Sequence, residues 1–120
     1  MTAYRVEIIA VGTELLLGNV ANTDAQFLSE MLASVGVDVL YHTAVGDNPA
    51  RLREVVDIAR GRANLLVFTG GLGPTYDDMT KQIVCEAFGL GLEFHPEIVE
   101  EIRHYFDTVF RREMPACNLQ

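Results

Sequence analysis

An apolar run, Leu65-Leu66-Val67-Phe68, stops at Thr69-Gly70-Gly71-Leu72-Gly73-Pro74-Thr75-Tyr76-Asp77-Asp78 and resumes as Met79-Thr80-Lys81-Gln82-Ile83-Val84 with helical character. This succession of strand, glycine-rich loop and helix limits most what the chain can become. Gly70, Gly71 and Gly73 admit backbone angles closed to other residues and let a ligand come close to the main chain. Asp77 and Asp78 fall near the expected helix start, where the macrodipole favours a carboxylate. Two readings follow. The stretch is a tight βα turn with a capped helix, or it is a site where loop N–H groups meet an anionic ligand and a carboxylate acts on it. A Walker A loop is excluded because no Gly-Lys-Ser/Thr stands there, and the dinucleotide fingerprint fails at Tyr76, where a third glycine is needed.

The rest of the chain repeats the pattern. Val6-Glu7-Ile8-Ile9-Ala10-Val11 reads as a strand buried on both faces and ends at Gly12-Thr13-Glu14. Leu15-Leu16-Leu17 in the following loop is either a hydrophobic lid over the core or the wall of a pocket or subunit contact. A helix opens at Asn22-Thr23-Asp24, where Thr23 and Gln26 have capping-box spacing, with Leu28, Met31, Leu32 and Val35 as its inner face and Gly36 as its stop. Val37–Val45 is a second strand ending at Gly46-Asp47; His42 within it reads as structural. Asn48-Pro49 starts a helix with Leu52, Val55, Val56 and Ala59 inward, ending at Gly61. After the central motif, Leu90–Phe94 reads as a short extended piece. His95-Pro96 caps a last helix with Ile98, Ile102, Tyr105, Phe106 and Val109 on one face.

Alternating strands and helices predict a mainly parallel sheet with helices on both faces. Loops after successive parallel strands emerge at one edge, so Gly12-Thr13-Glu14, Gly46-Asp47 and Gly70–Asp78 are expected to line one crevice. Charge narrows the ligand. Nine Lys and Arg against 17 Asp and Glu give a net −8, which argues against nucleic acid or an anionic membrane as partner. An anionic ligand there needs loop amides, a few cationic side chains or a divalent metal. Cys85 and Cys117 form no C-x-x-C, so neither a disulfide framework nor a zinc site is indicated. The start, Met1-Thr2-Ala3-Tyr4-Arg5, lacks a signal peptide's apolar segment, and the cytoplasm is the expected compartment.

Taken together, Gly12–Gly18, Asn22-Thr23, Val45-Gly46-Asp47, Gly70-Gly71-Leu72-Gly73-Pro74-Thr75-x-Asp77-Asp78-x-Thr80 and Arg112-Glu113-Met114-Pro115 resemble the MoaB/Mog-type molybdopterin-binding domain. The version is that at the N-terminus of the competence/damage-inducible CinA proteins. The resemblance implies a three-layer α/β/α fold that binds a pterin-phosphate or nucleotide-like ligand at the C-terminal edge of the sheet. It assigns Asp47 and Asp78 as the functional carboxylates, catalytic and metal-holding if a divalent metal is used. Gly12, Thr13, Glu14, Asn22, Thr69, Gly70, Gly71, Gly73, Thr75 and Asp77 are the candidate ligand contacts. Asp77 stands where relatives often carry Arg, and Asp24 where the subfamily usually has Asn.

Some CinA-type domains are metal-dependent ADP-ribose pyrophosphatases, which makes hydrolysis of a nucleotide diphosphate the alternative to binding alone. A non-catalytic oligomerisation module or an inactive fragment is a further alternative. The nicotinamide-mononucleotide amidase activity of CinA proteins belongs to a separate C-terminal domain and is not carried over. The family's domain continues through a further Asn-Pro-x-Gly-Thr-Ala-Pro-Gly-like loop and more strands, so residues 1–120 read as one such domain, incomplete at its C-terminus. The family is commonly oligomeric, and a homo-oligomer is expected.

Overall fold

The computed structural model describes residues 3–18 and 21–119, so Met1 and Thr2 of the expected start lie outside the described residues. Its centre is β1 (Val6–Val11), whose six residues are all buried. A run of branched apolar side chains can be buried on both faces only where strands flank it and helices cover it. Both conditions hold. β2 (Val39–Val45) and β3 (Leu65–Thr69) pair with β1 on either side, both parallel, in the order β2-β1-β3.

The pleat then divides the core. Ile9 and Val11 join Val45 of β2, Leu52, Val56 and Ala59 of α3 (Pro49–Arg62), and Ile83 and Ala87 of α4 (Thr80–Ala87). Val6 and Ile8 face the other way, against Ala25, Leu28 and Leu32 of α2 (Thr23–Ser34). The expected three layers are present.

Local chemistry shifts several boundaries. Asn22, not Thr23, caps α2, its side chain accepting from the Ala25 N–H at 3.3 Å. Met31 and Val35, read as core, are exposed together with Phe27. Two apolar stripes run side by side along α2, Leu28–Leu32 and Phe27–Met31, and the sheet takes the Leu28–Leu32 one. Gly61 does not end α3, which runs on to Arg62. The stretch after Gly12 is not a loose loop but one helical turn, α1 (Thr13–Leu16), and Leu16 and Leu17 are exposed rather than closing over the core. The second strand begins at Val39, and Leu90–Phe94 pairs with nothing among the described strands. His95 occupies the cap position of α5 (Pro96–Tyr105) without a side-chain cap bond, and Ile98, Tyr105 and Val109 on its expected inner face are exposed. His42 is held at 2.7 Å by Ser29 Oγ. Cys85 is a free thiol; the Cys117 side chain lies outside the described residues.

One charge is buried inside the central strand. Glu7 is fully buried and accepts from Arg62 Nε at 2.7 Å, from Arg62 Nη2 at 3.1 Å and from Thr43 Oγ1 at 2.8 Å. Arg62 also lies over the Tyr41 ring, 3.9 Å from its centroid. The continuation of α3 past Gly61 is what brings Arg62 there. Removing one member of such a pair strands the other in the interior, whereas an exposed pair such as Arg53–Asp57 contributes little. Arg62→Met is therefore expected to lower the thermal midpoint clearly, and Arg53→Met to change stability by no more than about 0.5 kcal/mol. Equal, small effects in differential scanning calorimetry would show that Glu7 is solvated in solution.

Candidate functional site

β1 leads into α2 on one face of the sheet, and β3 leads into α4 on the opposite face. Adjacent parallel strands whose following helices diverge leave a crevice at their carboxyl ends. A cleft of about 130 Å³ lies there, lined by Val11, Glu14 and Leu15 after β1, Ala21, Asn22, Thr23 and Asp24 at the start of α2, and Thr69 and Gly70 after β3. Of the expected ligand contacts, Glu14, Asn22, Thr69 and Gly70 meet in it. Leu15 lines it too, in keeping with the pocket-wall alternative for Leu15-Leu16-Leu17, as do Thr23 and Asp24 of the helix start; Val11 and Ala21 complete the lining. Asp24 read as a helix-start residue, and only the approach of β3 to β1 reveals which side of α2's first turn faces the cleft. A second hollow, about 160 Å³ between Lys81, His95, Ile98 and Leu119, shares none of these loop residues.

The second loop joins from outside the cleft. The Thr13 N–H donates to Asp47 Oδ2 at 3.2 Å, and the Asp47 N–H donates to Thr13 Oγ1 at 3.0 Å. The Gly12 N–H donates to the Val45 carbonyl at 2.8 Å. Gly12, Thr13 and Asp47 thus clamp the ends of β1 and β2 together, and the three loops do not share one lining. Glu14 folds back over Gly12, where a Cβ would meet its carboxylate.

The third loop has its own internal order. Gly70 and Gly71 have φ of +81° and +63°. A Cβ on Gly70 would overlap the Val11 carbonyl oxygen, and one on Gly71 the Thr80 hydroxyl. Thr80 is buried; its Oγ1 donates to the Gly70 carbonyl at 2.9 Å and its N–H to the Gly71 carbonyl at 3.1 Å. Asp78 does not cap α4. The cap position is Met79, without a side-chain bond. Asp78 Oδ2 instead accepts from the Thr75 N–H at 3.1 Å and from the Thr75 hydroxyl, beside Gly73. The Thr75 hydroxyl foremost, helped by the Thr75 and Gly73 amides and opposed by desolvation, holds the Asp78 carboxyl below the usual carboxylate range. Asp77 is exposed. Among the described residues no three His, Cys, Asp or Glu side chains come together as metal ligands would.

With that geometry in hand, comparison with known proteins decides the family. The model of the family described as Probable molybdopterin binding domain matches residues 7–115. The chain belongs to that family. The form is the CinA-like one: a protein named as competence-damage inducible from Streptococcus gordonii is 56% identical over 85% of this chain and 24% of its own length. Its namesake from Bacillus subtilis is 51% identical over 92% of this chain and 27% of its own. The chain therefore spans about a quarter of the length of the curated relatives it matches. Among solved structures, CinA of unknown function from Thermoplasma acidophilum matches with a TM-score of 0.81 and 29% identity, over 96% of this chain and 67% of that one. The molybdopterin biosynthesis enzyme MoaB from Thermus thermophilus matches with a TM-score of 0.66 and 25% identity, over 98% and 70%. No helix among the described residues is long and apolar enough to cross a membrane.

Two outcomes test this geometry. Thr80→Val keeps shape but strips the Gly70 carbonyl of its buried partner, and is expected to cost about 1–2 kcal/mol in urea unfolding. No measurable cost would mean that Thr80 does not hold the loop. Because the folded pKa of Asp78 is depressed, its contribution to loop stability is present above its unfolded pKa and is lost as pH falls through the folded value. Its side-chain carbon resonance is expected to titrate below the usual carboxylate range, and Thr75→Val to move the midpoint up. An unmoved midpoint would remove Thr75 as the cause.

Proposed function

We propose that this molybdopterin-family domain binds a pterin-type small molecule in the cleft between the ends of β1 and β3, without itself performing hydrolysis. The observation that carries the reading is the composition of that cleft. Glu14 and Asp24 line it together with Asn22, Thr23, Thr69 and the Gly70 backbone, and among the described residues no Lys or Arg does. Two carboxylates repel a phosphate but accept hydrogen bonds from the amine and ring N–H groups of a pterin. At about 130 Å³ the cleft is smaller than the roughly 300 Å³ at which small-molecule pockets usually begin. It suits the edge of the ring, with the phosphate arm directed outward.

A divalent metal held jointly by Asp47 and Asp78 does not fit as well. Asp47 is engaged by the Thr13 amide and Asp78 by Thr75, so each carboxylate orders its own loop. The metal-dependent ADP-ribose pyrophosphatase reading has no such arrangement in its favour. We also propose that the chain self-associates, through exposed apolar surface that includes Phe27 and Met31 on α2 and Val35 at its C-terminal cap.

Calorimetric titration with molybdopterin and with ADP-ribose, each with and without divalent metal, separates the readings. Binding of molybdopterin is expected without metal and should weaken about tenfold in Glu14→Gln, the loss of one charge-assisted hydrogen bond. ADP-ribose that binds only with metal, and binds more tightly once Glu14 is neutralised, would overturn the proposal.

A further inference from the structure

We propose that Glu7 and Thr43 are positioning residues for the cleft: together they fix the register of β2 on β1, and that register sets Asp47 against Thr13. The sheet carries the mark of a choice between registers. Val6 pairs with Val39 but Glu7 pairs with Tyr41, so the ladder steps by one residue and Leu40 has no partner in it. The faces change with the step. Val39 and Val45 stand an even number of residues apart and belong on one face of a regular strand. Yet Val39 packs with Val6, Ile8 and Ala25 under α2, and Val45 with Ile9, Val11 and Leu52 under α3.

Without the step, Leu40, His42 and Ala44 would face α3, and Tyr41 and Thr43 would face α2, because a one-residue slip turns every side chain to the other face. Each set mixes apolar and polar side chains, so burial of apolar surface discriminates weakly between them. The polar contacts discriminate strongly. The Thr43 hydroxyl donates to the fully buried Glu7 carboxylate at 2.8 Å, and Arg62, which donates to Glu7 at 2.7 Å, lies over the Tyr41 ring. On the other face His42 meets Ser29 Oγ at 2.7 Å. A slip breaks all three contacts of β2 and strips a buried carboxylate of its hydroxyl donor. This is the circumstance in which a buried charge specifies register rather than adding stability.

The consequence falls at the end of β2. The observed pairing runs through Val11–Val45 and carries on to Thr13 and Asp47, whose N–H groups each donate to the other's side chain. A slip would bring Gly46 opposite Thr13 and carry Asp47 about 3.3 Å beyond it. Thr13 would lose its carboxylate partner, and Glu14, the next residue and part of the cleft lining, would lose its anchor. That last step alone rests on the proposed pterin site.

Nuclear magnetic resonance of the ligand-free chain tests the register whatever the ligand. Tyr41→Leu combined with Thr43→Val keeps β2 strand-forming but removes its contacts with Arg62 and Glu7. The slipped register is expected to gain at least about tenfold in population. It is seen as a second set of amide signals over residues 39–47, with contacts from Glu7 to Leu40 and a displaced Thr13 amide. Thr43→Ser, which restores the hydroxyl, is expected to show a single set. If the double variant does not fold, Thr43→Val alone is read by saturation-transfer exchange, and a slipped signal absent from the wild type is expected. The proposal is overturned if the variant that folds keeps only the Glu7–Tyr41 contacts and an unmoved Thr13 amide, or if Thr43→Ser slips as far as Thr43→Val.

Discussion

Burial of β1 on both faces is the constraint on which the rest depends. Each of its large apolar side chains contributes on the order of 1.5–3 kcal/mol when removed from water, as an upper estimate. The benefit is realised only if helices cover the sheet above and below and strands flank it left and right. α2 supplies one cover and α3 with α4 the other. The same division creates the cleft, because α2 leaves the end of β1 on one face and α4 leaves the end of β3 on the other. The crevice is a by-product of filling both sides of the core.

Inside that frame the carboxylates divide into two kinds. Asp47 and Asp78 are engaged by Thr13 and Thr75, and each fixes the loop in which it stands. Glu14 and Asp24 line the cleft, and they give it its chemical character. The depressed pKa of Asp78 fits the first role. Its cause is a neighbouring hydroxyl and two amides within one loop, an arrangement that orders backbone before any ligand arrives. Thr80 completes it by tying α4 to the carbonyls of Gly70 and Gly71, each of positive φ.

Much of this was legible in the chain. β1 begins and ends where its apolar run does, β3 begins with its run and extends one residue past it to Thr69, Asn48-Pro49 starts α3, and the family signature of the glycine loop carries the fold. What was hidden depended on partners distant in sequence. Glu7 looks like a lone polar residue in a strand until Arg62 arrives from 55 positions away. Met31 and Val35 satisfy helical spacing, but so does the Phe27-Met31-Val35 stripe on the outer face. Periodicity cannot choose between two stripes when both are apolar. Asp78 near a helix start suggests a cap, and its use by Thr75 follows from loop geometry that spacing does not encode. Asp24 belongs to the cleft only because β3 lies next to β1, which is a fact of strand order.

The central claim is that a pterin-type ligand sits between the ends of β1 and β3, held by Glu14 and Asp24. Backbone amide chemical-shift mapping during a metal-free molybdopterin titration tests it most directly. The account predicts the largest shifts at Glu14–Leu15, Asn22–Asp24 and Thr69–Gly70, with smaller ones at Asp47 and at Thr75–Asp78. Shifts concentrated at Asp47 and Asp78, with Glu14 and Asp24 unmoved, would contradict it.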